Sequence, residues 1–358
     1  MDKIVAKGSL LHHRRGHHCQ RLKDSQGSEV AKAVFHSEGF LVLLREKVKL
    51  VYLDCWFFTR TGVHLVLLFQ ALIKTFGVKL LYDAHDPFPE YEIACGELKE
   101  DALKTGFYRV LSCMLYKLSD IVLITSNEFK DYLVRTYAVN PSKIFSVYHG
   151  ADVETFNLGA SGSEVRAMLG LHDKFVVGWF GVMTRVRQVE QILIPFIKMA
   201  WHMEPNVVFL VGGKGRLKDY FERFASNSEA TNFLYLGYIP YDKLANYIAA
   251  CDITLCPLDN SSVHGRYMLS RKISESLCVG VPAIVTRTPA SQSFFGGFRS
   301  VKLVGNTAEA YMEALAEVSK NLETYKSIAE AEARSHRLSL RASSKRIADL
   351  LVSYLAPS

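Results

Sequence analysis

Short apolar runs alternate along the chain with longer stretches of helical period. The runs KLVYL from Lys49, VKLLY from Val78, DIVLIT from Asp120, FVVGWF from Phe175, NVVFLV from Asn206, NFLYL from Asn232, DITLC from Asp252 and VPAIV from Val281 are mostly continuous rather than alternating. Continuous apolar strands are buried on both faces, so these runs predict parallel sheets. Helices are expected between them. One spans about Leu98 to Leu118, with Leu103, Phe107, Val110, Met114 and Leu118 on its core face. Others follow Arg187, span Tyr241 to Ala250, and lie near Lys272 to Val279. Strands and helices in alternation mean βαβ units and an α/β fold. The pattern breaks after IFSVY (Ile144 to Tyr148), at the turn-rich HGADVETFN and the small-residue GASGS from Gly159, and a domain boundary is expected there. A last helix, Leu340 to Leu355, puts Ile347, Leu350, Leu351 and Tyr354 on one face.

A chain of 358 residues exceeds one ordinary core. The reading is an N-terminal domain over 1–150, a C-terminal domain over 151–335, and a terminal helix over 336–358 that can pack back on the first domain. With 49% hydrophobic and 22% charged residues the chain is globular, not disordered or collagen-like. Its net charge of +7 suits an anionic ligand or an anionic membrane surface. No zinc-finger spacing, ribonucleoprotein motif or long basic run points to nucleic acid. Cys19, Cys55, Cys95, Cys113, Cys251, Cys256 and Cys278 are scattered without metal or redox spacing, and read as reduced thiols of a cytoplasmic protein. No secretory pattern is read at the start. The apolar stretch Val63 to Phe76 carries Gln70 and Lys74 and is shorter than the roughly 20 residues a membrane-spanning helix needs. The opening KGSLLHHRRGHHCQRLKDSQGS is polar and basic. Its His12, His13, His17, His18 and Cys19 match no zinc pattern, and it reads as a mobile basic arm.

The second half holds the chemistry. In WFGVMTRVRQ, a strand leads through Gly181 to Arg185 and Arg187. In FLVGGKGRL, a strand is expected to end in a turn of Gly212, Gly213 and Gly215, with Lys214 and Arg216 beside it. After DITLC comes a long polar loop, then a helix carrying Lys272 and Glu275 three residues apart on one face. A nucleoside diphosphate needs cations or backbone amides around its phosphates and a carboxylate for its ribose hydroxyls. These segments offer all of them at the carboxyl ends of strands, where ligands of open α/β sheets bind. Each also has a plain structural reading, as a tight turn or a surface ion pair.

Taken in order, VKLLYDAHDPFPE, DIVLITSNEFKDYL, KIFSVYHGADVETFN, VVGWFGVMTRVRQVEQIL, VVFLVGGKGRLKDYF, FLYLGYIPYDKLANYIAACDITLCPL and KISESLCVGVPAIVT resemble a family 4 (group 1) glycosyltransferase of the GT-B fold, from about Lys49 onward. The resemblance implies two Rossmann-like domains with parallel sheets facing across a cleft. It implies transfer of a sugar from a nucleotide-diphosphate sugar, retaining and metal-independent, with no cofactor beyond the donor. Glu275 matches the glutamate that holds the ribose, and Lys272 a lysine common in one branch. Arg187 falls where a lysine or arginine contacts the diphosphate. His85 matches a histidine facing the transferred sugar, His149 and Gly150 fall at the hinge, and Gly213 and Gly215 match the turn near the base. The chain departs from the family at Tyr267, where many members carry a first glutamate, and at Val182, where an arginine is usual and Arg185 can compensate. The glycine-rich loop of the first domain is not recognisable before Lys49. The partners implied are a nucleotide sugar and a glycan, lipid-linked or protein acceptor. The helix from Leu98 also carries Lys104, Tyr108, Arg109, Tyr116 and Lys117, which suits weak contact with an anionic membrane at its inner face. Two other readings stay open. One is a nucleotide-sugar epimerase using carboxylates such as Asp83, Asp86 and Glu90. The other is a non-catalytic partner subunit of the same fold.

Overall fold

The computed structural model describes the backbone of residues 20–23, 29–32 and 50–54, and residues 74–355 with gaps at 76, 86, 205 and 227–231. The histidine cluster with Cys19, Cys55, Asp86 and most of the apolar stretch from Val63 lie outside the described residues. The chain divides into two compact units. One comprises Met1–Ile93, Glu97–Tyr148 and Arg341–Ser358; the other comprises Ala94–Gly96 and His149–Leu340.

The N-terminal unit holds a sheet of β1 (Gln20–Lys23), β2 (Glu29–Lys32), β3 (Leu50–Asp54), β4 (Lys79–Asp83), β5 (Ile121–Ile124) and β6 (Ile144–Ser146), in that spatial order. β2 through β6 are parallel and β1 is antiparallel to β2. The first strand falls in the segment read as a mobile arm, and the second directly follows it. Ladder pairing satisfies backbone groups whatever the side chains, so the polar composition hid them. The apolar runs of β4 and β5 are buried at Leu80, Leu81, Tyr82 and all four residues of β5.

The helix expected from Leu98 begins at Leu103 and ends at Leu118, after irregular turns over 97–102. Its expected core face is the outer one: Leu103, Phe107, Val110, Met114 and Leu118 are exposed, from 39% at Leu118 to 95% at Leu103. The buried side is Thr105, Leu111, Ser112, Leu115 and Tyr116. This helix carries two apolar stripes, and the one that packs inward includes small residues that let the backbone approach. Thr105 Oγ1 satisfies itself on the Lys99 carbonyl at 2.6 Å. At the other end of the sequence, the helix Leu340–Leu355 lays Ile347, Leu350 and Leu351 against Leu81, Ile121, Leu123 and Val147. Tyr354 stays at the rim, its ring 5.9 Å from Lys79 Nζ.

The C-terminal unit holds β7 (Phe175–Met183), β8 (Val207–Gly215), β9 (Phe233–Tyr235), β10 (Ile253–Cys256), β11 (Ala283–Thr286) and β12 (Val301–Val304). All pairs are parallel, in the order β12-β11-β10-β7-β8-β9. Trp179, Phe196, Phe209, Phe221 and Tyr311 fill the core on one side of the sheet. Buried Asp252 anchors the start of β10. It accepts from Arg166 Nη2 at 2.8 Å, Val176 N at 2.8 Å and Lys326 Nζ at 2.6 Å, so its charge is paired on both oxygens.

The expected turn at Gly212–Gly215 is not one. β7 and β8 pair residue for residue through Met183 and Gly215. Gly213 has φ +147°, and a Cβ there would lie 1.8 Å from the Gly181 carbonyl oxygen. The glycines therefore permit close strand pairing at the carboxyl ends of β7 and β8.

Candidate functional site

The strand order of the C-terminal unit places its own site. β8 and β9 are added on one side of β7, and β10 to β12 on the other. The order thus reverses between β7 and β10, and in open α/β sheets the ligand crevice lies outside the carboxyl ends at such a point. The helix Arg271–Cys278 is pinned there. Ser276 Oγ lies 2.6 Å from Thr254 Oγ1 of β10 and donates to the Val281 carbonyl at 2.9 Å. This docks one face of the helix so firmly that every residue from Ile273 to Cys278 is buried.

Two charged side chains are carried inward with it. Glu275 is only 7% exposed, and burial raises its pKa against the opposing pull of Arg271, Lys272 and Arg187. The Lys272 amine is shut off from solvent, 4.8 Å from the Trp179 ring centroid. It hangs directly over Gly181: a Cβ there would meet Nζ at 1.7 Å. Gly181, at φ +157°, is thus a position where any side chain would displace the amine. Arg187 ends a 3-10 turn, Arg185–Arg187, and acts electrostatically on both Lys272 and Glu275. Gln188 then takes a left-handed φ of +49°, and a π-helical turn over Val189–Leu193 leads into the helix Ile194–Met203. Phe180, Ile248, Thr254 and Cys256 line a recess with Lys272 and Glu275. The surface ion pair that sequence allowed for Lys272 and Glu275 is excluded, because both are drawn inside.

Gly181, Arg187, Lys272 and Glu275 therefore form one group. The remaining candidates stand differently. Arg185 is exposed on the same turn, as is Val182 at the end of β7. Lys214, exposed at the end of β8, lies 5.0 Å from the Tyr238 ring centroid. Gly213 and Gly215 serve the β7–β8 pairing. Tyr267 closes a short helix, Val263–Tyr267, with the Arg266 guanidinium 5.7 Å from its ring. In the N-terminal unit, His85 follows β4, its Nδ1 3.4 Å from Oδ1 of buried Asp83. Sequence reasoning missed Trp179, Arg271 and Tyr241. Tyr241 is raised by burial to well above the usual phenol range, and Glu275 adds to the shift. An aromatic inside an apolar strand gives no sign of facing a charge, so Trp179 was unreadable. Arg271, adjacent to Lys272, could have been suspected.

Residues 164–335 match the family model Glycosyl transferases group 1. The probable glycosyltransferase WbjE of Pseudomonas aeruginosa is 24% identical over 197 residues, 54% of this chain and 48% of that protein; the chain thus spans about half the length of this curated relative. Anabaena HepE, solved in complex with UDP, superposes with TM-score 0.67 at 17% identity, covering 88% of this chain and 81% of that one. Sucrose-phosphate synthase from Thermosynechococcus elongatus superposes at 0.69 and 16% identity, covering 90% and 77%. WaaG, a glycosyltransferase involved in lipopolysaccharide biosynthesis, superposes at 0.65 and 12% identity, covering 89% and 97%. Residues 164–335 thus match the group 1 glycosyltransferase family model, and the likeness to these solved structures shows a fold of the GT-B type.

Proposed function

We propose that the C-terminal unit binds a nucleoside-diphosphate sugar and that the protein transfers the sugar to a glycan, lipid-linked or protein acceptor. The observation that carries this reading is the buried pair Lys272 and Glu275 beside Arg187 at the switch point of the sheet. Glu275 grips the ribose hydroxyls, while Arg187 and Lys272 face the diphosphate and supply positive charge as it leaves. Interactions that strengthen as that charge develops accelerate the chemical step. Transfer is retaining and metal-independent in this reading, and activity is expected to persist in a chelator. UDP and UDP-glucose, which HepE holds in its solved complexes, are the first donors to try. A thermal-shift screen of nucleotide sugars, followed by transfer assays on the hits, tests the whole proposal. Tyr267 and exposed Val182, which replace charged residues of the resemblance, favour a second reading as a subunit that binds nucleotide without transferring. Donor binding without transfer or hydrolysis would select it, and epimerised donor without acceptor would select the epimerase.

Glu275→Ala is expected to weaken nucleotide binding about 10- to 100-fold, the loss of charge-assisted hydrogen bonds of roughly 1.5–3 kcal/mol. Circular dichroism should show a folded protein. Unchanged affinity by calorimetry in that folded variant removes Glu275 from the ribose.

The exposed stripe of the helix Leu103–Leu118 suits the surface of an anionic bilayer. The helix carries exposed Lys104 and Lys117 and no acidic residue, its Arg109 is paired with Glu90 and Glu100, and its outer face is apolar. No helix among the described residues is long and apolar enough to cross a membrane. Basic side chains near such a surface contribute about 1 kcal/mol each and are screened by salt, whereas inserted apolar groups are not. Sedimentation with phosphatidylserine vesicles should therefore show binding at low salt that is reduced but not abolished at high salt, and Phe107→Glu should weaken it. No sedimentation at low salt sinks the idea.

A further inference from the structure

Three half-buried lysines are paired. Lys326 donates to Asp252, Lys143 donates to the carbonyls of Lys117 and Ser119, and Lys74 pairs with Asp120. Lys272 differs. Its Nζ is shut off from solvent and has no hydrogen-bond partner among the described residues. We propose that nucleotide binding at this site takes up one proton from solvent and that the Lys272 amine receives it. The proposal rests on the nucleotide-sugar reading above and adds the protonation state of the nucleotide-free protein.

The surroundings determine that state. Among the described residues, four elements face the amine. β7 presents the Trp179 ring and the bare Cα of Gly181. The turn Arg185–Arg187 presents the Arg187 guanidinium, β10 presents Cys256, and the helix itself presents Glu275. Arg187 disfavours a second positive charge. Glu275 and Cys256 favour it, but Glu275 is itself biased by burial toward its neutral form. Burial, then Arg187, push the amine down to about 7. The aromatic face offers a cation some compensation, but it is no substitute for lost water. The nucleotide-free protein thus avoids a buried, unpaired cation by keeping the amine largely neutral above neutral pH.

A nucleoside diphosphate reverses this balance. Its oxygens bring about two negative charges beside the amine, and opposite charge at contact favours the ammonium form. The step is R–NH2 plus a solvent proton giving R–NH3+; no bond in the nucleotide breaks. Because the proton must be taken up, affinity should fall about tenfold per pH unit above the midpoint and level off below it. A neutral ligand of similar shape would draw no proton and gain nothing from the amine.

Calorimetry with UDP, GDP and ADP, each at pH 6 and pH 8 in buffers of different ionisation enthalpy, measures the uptake. The expected result is nearly one proton per nucleotide at pH 8 and almost none at pH 6. In Lys272→Met the pH 8 uptake disappears, while any ionisation of the nucleotide's own phosphate remains. Independently, NMR of lysine-labelled protein without nucleotide, with Lys272→Met for assignment, should show one amine titrating near neutral pH. A titration midpoint above about 9, or uptake unchanged in Lys272→Met, overturns the proposal with the nucleotide reading intact. If none of the three nucleotides binds while the amine still titrates near neutrality, the nucleotide reading fails and the proton uptake fails with it.

Discussion

Arg187→Ala is expected to lower sugar transfer about 100-fold, close to 3 kcal/mol in the barrier, while the protein stays folded. The side chain is half-buried at the end of the Arg185–Arg187 turn, and the turn is held by its own backbone, with Arg187 N donating to the Thr184 carbonyl at 3.0 Å. Removing the guanidinium therefore takes charge from the site without taking structure from the chain. The loss should fall on turnover more than on nucleotide affinity, because charge on the diphosphate grows as the sugar departs. Removing Arg187 also removes a charge that holds the Lys272 amine down, so that amine should titrate higher in the variant, with the sign of the change opposite to that of an added cation. Steady-state kinetics of Arg187→Ala alongside Arg187→Lys provide the check. Near-normal turnover in Arg187→Ala would move the phosphate role to Arg185 or Lys214.

His85→Ala is expected to cost more, at least about 100-fold in transfer, with nucleotide affinity unchanged. The two readouts separate because His85 belongs to the N-terminal unit, while the proposed nucleotide residues belong to the C-terminal one. The imidazole follows β4 at its carboxyl end, and buried Asp83 faces its Nδ1 at 3.4 Å. A carboxylate on one ring nitrogen orients the other, an arrangement suited to a group that must meet a reacting sugar. Asp83→Asn should then reproduce part of the loss, and His85→Gln should not restore it. Transfer assays and calorimetry on the same preparations decide. A variant that loses nucleotide binding as much as transfer would show that His85 has no separate role in the chemistry.

The sequence by itself determined the strands that carry continuous apolar runs. Apolar runs such as VKLLY, DIVLIT and DITLC can hide both faces only inside a layered α/β fold, and each became a buried parallel strand. It also named Gly181, Arg187, Lys272 and Glu275, because their residue types and spacing around strand ends are local properties. Three things were decided only by tertiary structure. Which stripe of the Leu103–Leu118 helix faces inward depended on what fits against the sheet: Thr105 and Ser112 go in, while Phe107 and Met114 stay out. The glycines from Gly212 to Gly215 looked like a turn, and became strand because β7 supplies a matching ladder through Met183. Lys272 and Glu275 could have been a surface pair on any helix. The bonds of Ser276 to Thr254 and Val281 turn that face toward the sheet and bury Glu275 and the Lys272 amine. Burial is a property of what lies opposite a residue, and a linear pattern records only the residue itself.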